Sequence, residues 1–172
     1  AAADVICYNC PPEWADWGGM LKLVNQKLNI AVPPDNKNSG QTLAALIAEK
    51  ANPVADIAYF GGQFGPQART ADVLTPFKPS RFGDIPAGMK DPEGYWFTIH
   101  SGTLGLFVNT AALRGKPVPQ SWRDLLKPEY KGEIQVANPA SSGTAYTMVA
   151  TLVQLMGEDK AFDYMKRLHP NI

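Results

Sequence analysis

A chain of 172 residues with 45% hydrophobic content can bury one core of ordinary size or two small ones. Its 16 Lys+Arg balance 16 Asp+Glu, so no basic excess marks nucleic acid as a partner. No run of about 18 apolar residues marks a membrane-spanning helix.

The start, Ala1-Ala2-Ala3-Asp4, is rich in small residues and leads straight into a strand. Signal-peptide cleavage leaves such an end, and so does a cloning remnant; the expectation drawn is export. Residues 5–8 then read as a short strand. Pro11-Pro12-Glu13 open a helix running to residue 27, with Trp14, Trp17, Leu21, Val24 and Leu28 at helical spacing. A second strand is predicted over 28–32, a polar loop over 35–40 and a second helix over 41–50. A third strand over 54–60 ends at Gly61-Gly62. Strands alternating with helices predict a parallel, doubly wound α/β sheet, in which ligands gather at the carboxyl ends of the strands. The loops around Tyr8-Asn9, residues 36–40 and residues 59–63 would line that edge.

Residues 74–94 are rich in Pro and Gly and read as irregular. Residues 95–99 and 103–109 read as two strands divided by His100-Ser101-Gly102, and residues 109–120 as a connector. A short helix begins at Trp122, and residues 128–132 turn into a strand at Ile134, Val136 and Ala137. Asn138-Pro139 stop that strand. Ser141-Ser142-Gly143-Thr144 then open a helix to residue 156, and a last helix covers 158–168. A strand feeding a Ser/Gly-rich helix start gathers backbone N–H groups, hydroxyls and the positive end of a helix dipole at one point. That chemistry suits a small anion and contains no nucleophile–base pair. The same hydroxyls also serve as ordinary N-caps, which contribute about 1 kcal/mol.

Cys7-Tyr8-Asn9-Cys10 holds both cysteines. With no second Cys/His pair at zinc spacing, a structural zinc site is not expected. Two readings stay open. One is a disulfide formed in an oxidising compartment. The other is the dithiol of a thiol–disulfide oxidoreductase, since the pair follows a strand and precedes a helix. Cys7 lies inside the predicted strand, and Pro11-Pro12 follow Cys10; both features weigh against the redox reading. The histidines, His100 and His169, are too few and too far apart to build a catalytic triad, and no catalytic residue is assigned.

Six segments in order carry a family resemblance. They are Tyr8-Asn9, Ala55-Asp56-Ile57-Ala58-Tyr59, Gly102-Thr-Leu-Gly-Leu-Phe-Val-Asn109, Ser121-Trp-Arg-Asp-Leu-Leu-Lys-Pro-Glu-Tyr-Lys-Gly132, Pro139-Ala-Ser-Ser-Gly-Thr-Ala-Tyr146 and Gly157-Glu-Asp-Lys-Ala-Phe-Asp-Tyr164. Through them the chain resembles the substrate-binding proteins of bacterial ABC importers, in the group that includes ferric-ion, phosphonate and sugar-phosphate binders. The resemblance implies a type II periplasmic-binding-protein-like α/β fold of two doubly wound lobes with a hinge. It places residues 1–105 in lobe 1 as βαβαβ, without the returning segment. Residues 106–172 become a hinge strand and the start of an incomplete lobe 2, and the first crossing falls in 103–109.

By the same resemblance the chain is an extracytoplasmic receptor, periplasmic or membrane-tethered. It needs no cofactor, acts as a monomer and delivers its solute to a membrane permease. In ferric-binding relatives a His after strand one and a Glu after strand three help hold the metal. The matching places here carry Cys10-Pro11-Pro12-Glu13 and Phe60-Gly61-Gly62-Gln63. Glutamine is a poor ligand for a hard trivalent cation. The solute expected is therefore a small anion, phosphorylated or phosphonate, held in an interlobe cleft, with ferric ion as the alternative. From the first lobe Tyr8, Asn9, Asn38, Ser39, Tyr59, Gly61, Gln63 and His100 are the candidate contacts. Ser141, Ser142, Gly143 and Thr144 complete the set. Lys37 would assist an anion if it reaches the cleft, and Trp14 could border it.

Overall fold

The computed structural model describes residues 3–172, in two compact units. Ala1 and Ala2, on which the reading of a cleaved N-terminus depends, lie outside them.

Unit 1 comprises residues 3–100 together with Ala140–Gly143. Its centre is one extended stretch of chain with a parallel neighbour on each side. β1 (Ala3–Asp4) pairs with β3 (Ile30–Ala31), with Ala3 opposite Ile30, and β2 (Cys7–Tyr8) pairs with β4 (Ile57–Ala58), with Cys7 opposite Ile57. The ladders are shorter than the sequence predicts, and the β2–β4 ladder begins only after Asp56. Its carboxylate accepts the Ile6 N–H at 2.9 Å, while the Ile6 carbonyl takes the N–H groups of both Asp56 and Ile57. The ladder runs on to Tyr59, whose N–H donates to the Tyr8 carbonyl.

Three helices follow these strands: α1 (Trp17–Leu28), α2 (Ser39–Ala48) and α3 (Phe64–Thr70). The predicted start of α1 at residue 11 is corrected to Trp17. Two consecutive residues, Ala15 (φ 50°) and Asp16 (φ 56°), adopt left-handed backbone, which cannot continue a right-handed helix. α3 was not anticipated, its seven residues being too few for an apolar period to show. The Cys7–Cys10 disulfide, Trp17, Leu21, Val32 and Tyr59 pack together as one apolar cluster.

Residues 71–99 are irregular, with short 3-10 turns at Phe82–Asp84 and Ala87–Met89. The strand predicted over 95–99 reduces to one antiparallel bridge, Lys90 with Phe97. This segment is held by buried Asp91, which accepts the Tyr95 N–H and pairs at 2.5 Å with Arg69 from α3; Arg69 also reaches Glu93.

Unit 2 comprises Ser101–Pro139 and Thr144–Ile172. Its core is Leu125, Leu152, Ala161, Tyr164 and Leu168, supplied mainly by α4 (Gly143–Met156) and α5 (Glu158–Leu168). Glu158 and Asp159 in the first turn of α5, and Lys166 and Arg167 in its last, complement the helix dipole. Side chains tie the loops to these helices. The Tyr164 hydroxyl donates to the Trp122 carbonyl, and the Asn171 amide to the carbonyls of Leu125 and Lys127. The strands predicted over 103–109 and at 134–137 are not strands among the described residues; Ile134 instead donates its N–H to the Asn171 carbonyl. An apolar alternation makes a segment ready to pair, and a strand forms only where a second segment takes its backbone groups.

Candidate functional site

Three turns of unit 1 meet at backbone contact. Asn38 to Gly40 opens α2, Gly61 to Gln63 precedes α3, and Ser141 to Gly143 leads into α4. Asn38 caps α2 through a reciprocal box, its side-chain oxygen accepting the Gln41 N–H at 2.8 Å and its own N–H donating to the Gln41 side chain at 3.0 Å. That fixes the next residue. Ser39 is buried, and its Oγ accepts the Gly61 N–H at 3.0 Å, which leaves the hydroxyl proton to be donated onward. The Gly40 N–H donates to the Ser141 carbonyl at 2.8 Å, and the Gln63 side chain donates to the Gly143 carbonyl at 3.2 Å.

Glycine makes this approach feasible. A Cβ on Gly40 would stand 2.7 Å from Ser141 Cα, and one on Gly143 would stand 2.7 Å from Ser39 Oγ. Real Cβ atoms do not pack that closely, so the turns could not meet with side chains there. The structure thus brings Ser39, Gly61, Gln63, Ser141, Ser142 and Gly143 into one unit, although sequence order places the Ser141 turn with the second lobe. Thr144, the next residue, is exposed and belongs to unit 2.

Beside Ser39 lies a half-buried polar network. The Tyr8 hydroxyl donates to both oxygens of Glu49, at 3.0 and 2.8 Å, and Lys37 Nζ sits 3.9 Å from the Tyr8 ring centroid while pairing at 2.7 Å with Asp35. The Asp35 carboxylate also accepts the Asn9 N–H at 2.6 Å, and the Asn9 side chain donates to the Tyr59 carbonyl at 2.8 Å. The hydrogen bond to Glu49 raises the Tyr8 pKa above the ordinary phenol value, with burial and the charges of Glu49 and Asp35 adding to it. Burial pushes Asp35 upward, but the Asn9 N–H and Lys37 outweigh it and hold the carboxyl below its usual range. Lys37 is therefore neither a solvated lysine nor an uncommitted cation. The sequence reading missed Asp35 and Glu49, since carboxylates on a polar loop and at a helix end carry no distinguishing spacing.

On the α1 side, the Tyr59 hydroxyl lies 2.6 Å from His100 Nε2. Burial pushes the Tyr59 phenol up to about 12, so it keeps its proton through neutral pH. Trp14 packs on both rings, and buried Trp17 meets Tyr59 edge-on at 5.1 Å. His169, at the end of α5, is exposed.

Cys7 and Cys10 are joined as a disulfide and are 3% and 0% exposed. Thiol exchange needs an attacking thiolate to reach a sulfur, and burial denies that access. Among the described residues no group of three or more His, Cys, Asp or Glu side chains could hold a metal ion, and Glu13 is exposed.

Comparison with known proteins adds a family and a fold. The sequence pattern of the bacterial extracellular solute-binding proteins matches residues 52–172. An uncharacterized protein of Haemophilus influenzae is 43% identical over 160 residues, covering 88% of this chain and 46% of the relative. The periplasmic binding protein AfuA from Actinobacillus pleuropneumoniae, solved with fructose-6-phosphate bound, superposes with a TM-score of 0.86 at 39% identity, over 100% of this chain and 56% of AfuA. The periplasmic binding protein P5PA gives 0.85 at 32% identity, over 98% of this chain and 56% of its own. The chain spans about half the length of the relatives it matches.

Proposed function

Because the chain belongs to the bacterial extracellular solute-binding protein family and has the type II periplasmic-binding-protein fold, we propose that it is the solute-capturing part of an ABC importer in the periplasm. On this reading it takes a small phosphorylated or phosphonate anion, passes it to a membrane permease and performs no chemistry on it. Units 1 and 2 correspond to the two lobes of the receptor, with residues 103–109 as the first crossing.

One observation supports the choice of an anion: the Ser39, Gly61 and Ser141 turns meet at glycine-permitted contact. The meeting sets the Ser39 hydroxyl, which keeps a proton to donate, beside the Ser/Gly-rich start of α4, with Lys37 balanced by Asp35 nearby. Neutral donors that are fixed in advance favour an anion whose oxygens each accept one or more hydrogen bonds. The fructose-6-phosphate bound to AfuA is consistent with that chemistry. A bare ferric ion asks instead for several anionic oxygens, and Gln63, at the place matching the Glu of ferric-binding relatives, brings none.

Native mass spectrometry of the full-length protein as purified tests the reading directly. A co-purified phosphate ester or phosphonate is expected, and a visible tyrosinate–iron absorption band would overturn it. Ser142→Ala combined with Thr144→Ala should weaken phosphate-ester binding by about 1.5–3 kcal/mol for each hydrogen bond lost to the charged group, roughly tenfold or more. Unchanged affinity would reduce those hydroxyls to helix caps.

A further inference from the structure

Cys7 and Cys10 are joined at a sequence separation of 3, and a crosslink that closes so short a loop constrains the unfolded chain least. What it fixes is local. Its two Cα atoms stand 6.0 Å apart, so the chain bends back on itself at the end of β2. Asn9, inside the bend, holds left-handed backbone at φ 65° and is itself buried. Its donors reach in two directions. The Asn9 N–H meets the Asp35 carboxylate at 2.6 Å, and its side chain meets the Tyr59 carbonyl at 2.8 Å. Asp35 stands on the loop that leads to Ser39 and α2, where Lys37 pairs with it while covering the Tyr8 ring. One bend therefore ties the Ser39 loop and the end of β4 to β2, and the disulfide closes that bend.

We infer that the Cys7–Cys10 disulfide positions the proposed anion site through Asn9 and Asp35, so that only the oxidised protein is a receptor. The inference rests on the anion reading and goes beyond it. With two thiols in place of the crosslink, Asn9 is free to return to right-handed or extended backbone, which is lower in energy for a residue with a Cβ. Its N–H then turns away from Asp35, the loop before Ser39 loses its anchor, and the Ser39 hydroxyl is no longer fixed in advance of binding. Forming the S–S bond takes two electrons and two protons from the two thiols, and an oxidant of the disulfide class accepts them by exchange. Once the cluster around Trp17 closes, the sulfurs are 3% and 0% exposed and beyond the reach of a thiolate. The bond is therefore made during folding and kept in the folded chain. A chain held reduced does not bind, and an oxidising compartment switches it on.

The test is calorimetric titration of the full-length protein with inorganic phosphate and glucose 6-phosphate. Cys7→Ala combined with Cys10→Ala, checked for native circular dichroism, should weaken the bound probes about fivefold or more. Wild type treated with dithiothreitol while folded should bind as before, and wild type refolded in dithiothreitol should bind like the variant. Asp35→Ala combined with Lys37→Met removes the tie without changing the net charge. It should weaken binding by a similar factor, and adding it to the cysteine pair should cost less than a further twofold, since both cut the same tie. Nuclear magnetic resonance of the Asp35 carboxyl adds a readout that a general loss of stability would not move. Without the disulfide its titration should rise toward the ordinary carboxylate range, because the Asn9 N–H that lowers it is gone. A folded cysteine variant that binds within twofold of wild type would overturn this inference and leave the anion reading standing, and so would losses that multiply. If the cysteine variant does not fold, wild-type affinity in the Asp35 and Lys37 variant overturns it. If the wild type binds neither probe, the anion reading falls and this inference falls with it.

Discussion

Tyr59 shows how much of a residue's role is set by its neighbours. Position alone puts it at the end of a strand, where it could serve a ligand or the packing beneath one. The structure gives it a hydrogen bond with His100, an edge contact with Trp17 and a phenol pushed up to about 12 by burial. An unfolded tyrosine titrates near 10, so the folded chain holds this proton more tightly than the unfolded one. The stabilisation is therefore complete below about pH 10 and is lost as the pH rises toward 12. Denaturant titrations across that range should show stability falling, and Tyr59→Phe should flatten the fall. An equally steep fall in the variant would assign it to other groups. The four candidates Tyr8, Asn9, Asn38 and Ser39 make the same point. Each was legible as a polar residue beside a strand end or helix start, but their pairings with Glu49, Asp35, Gln41 and Gly61 were not.

Among the elements, α2 and α5 were the most legible, because their apolar positions recur at helical spacing and their ends carry a cap or charges suited to the dipole. α1 was legible in its body and not at its start. Asp tolerates left-handed backbone and Ala adopts it rarely, yet no local pattern announces two such residues in a row before Trp17. This has a measurable consequence. Ala15→Gly removes the Cβ clash of the left-handed region but adds backbone entropy to the unfolded chain. The net expectation is a gain of roughly 0.5–1 kcal/mol, read from the denaturation midpoint. A loss of stability would mean that the turn is not strained. The short β2–β4 ladder follows the same logic: Asp56 looks like a strand residue, yet its carboxylate takes the Ile6 N–H, on which the ladder would otherwise extend.

At the scale of the molecule, the two units draw on separate cores, one around the disulfide and Trp17 and one around Leu152. Leu152 is fully buried, so Leu152→Ala should cost about 2–5 kcal/mol in chemical denaturation; a loss below about 1 kcal/mol would mean that its surroundings collapse to fill the space. The amino-acid sequence by itself determined the α/β class, the family and the order of α1, α2, α4 and α5, because these rest on local periodicity and on motif order along the chain. It also pointed to Ser141-Ser142-Gly143 as a helix start suited to an anion. Only the tertiary structure decided what that turn meets. Its contacts with Gly40 and Gly61 join residues about eighty to a hundred positions apart, and no local pattern encodes a contact made possible by two missing Cβ atoms. Tertiary structure likewise decided which predicted strands exist. Apolar alternation is a property of one segment, whereas a strand is a property of two.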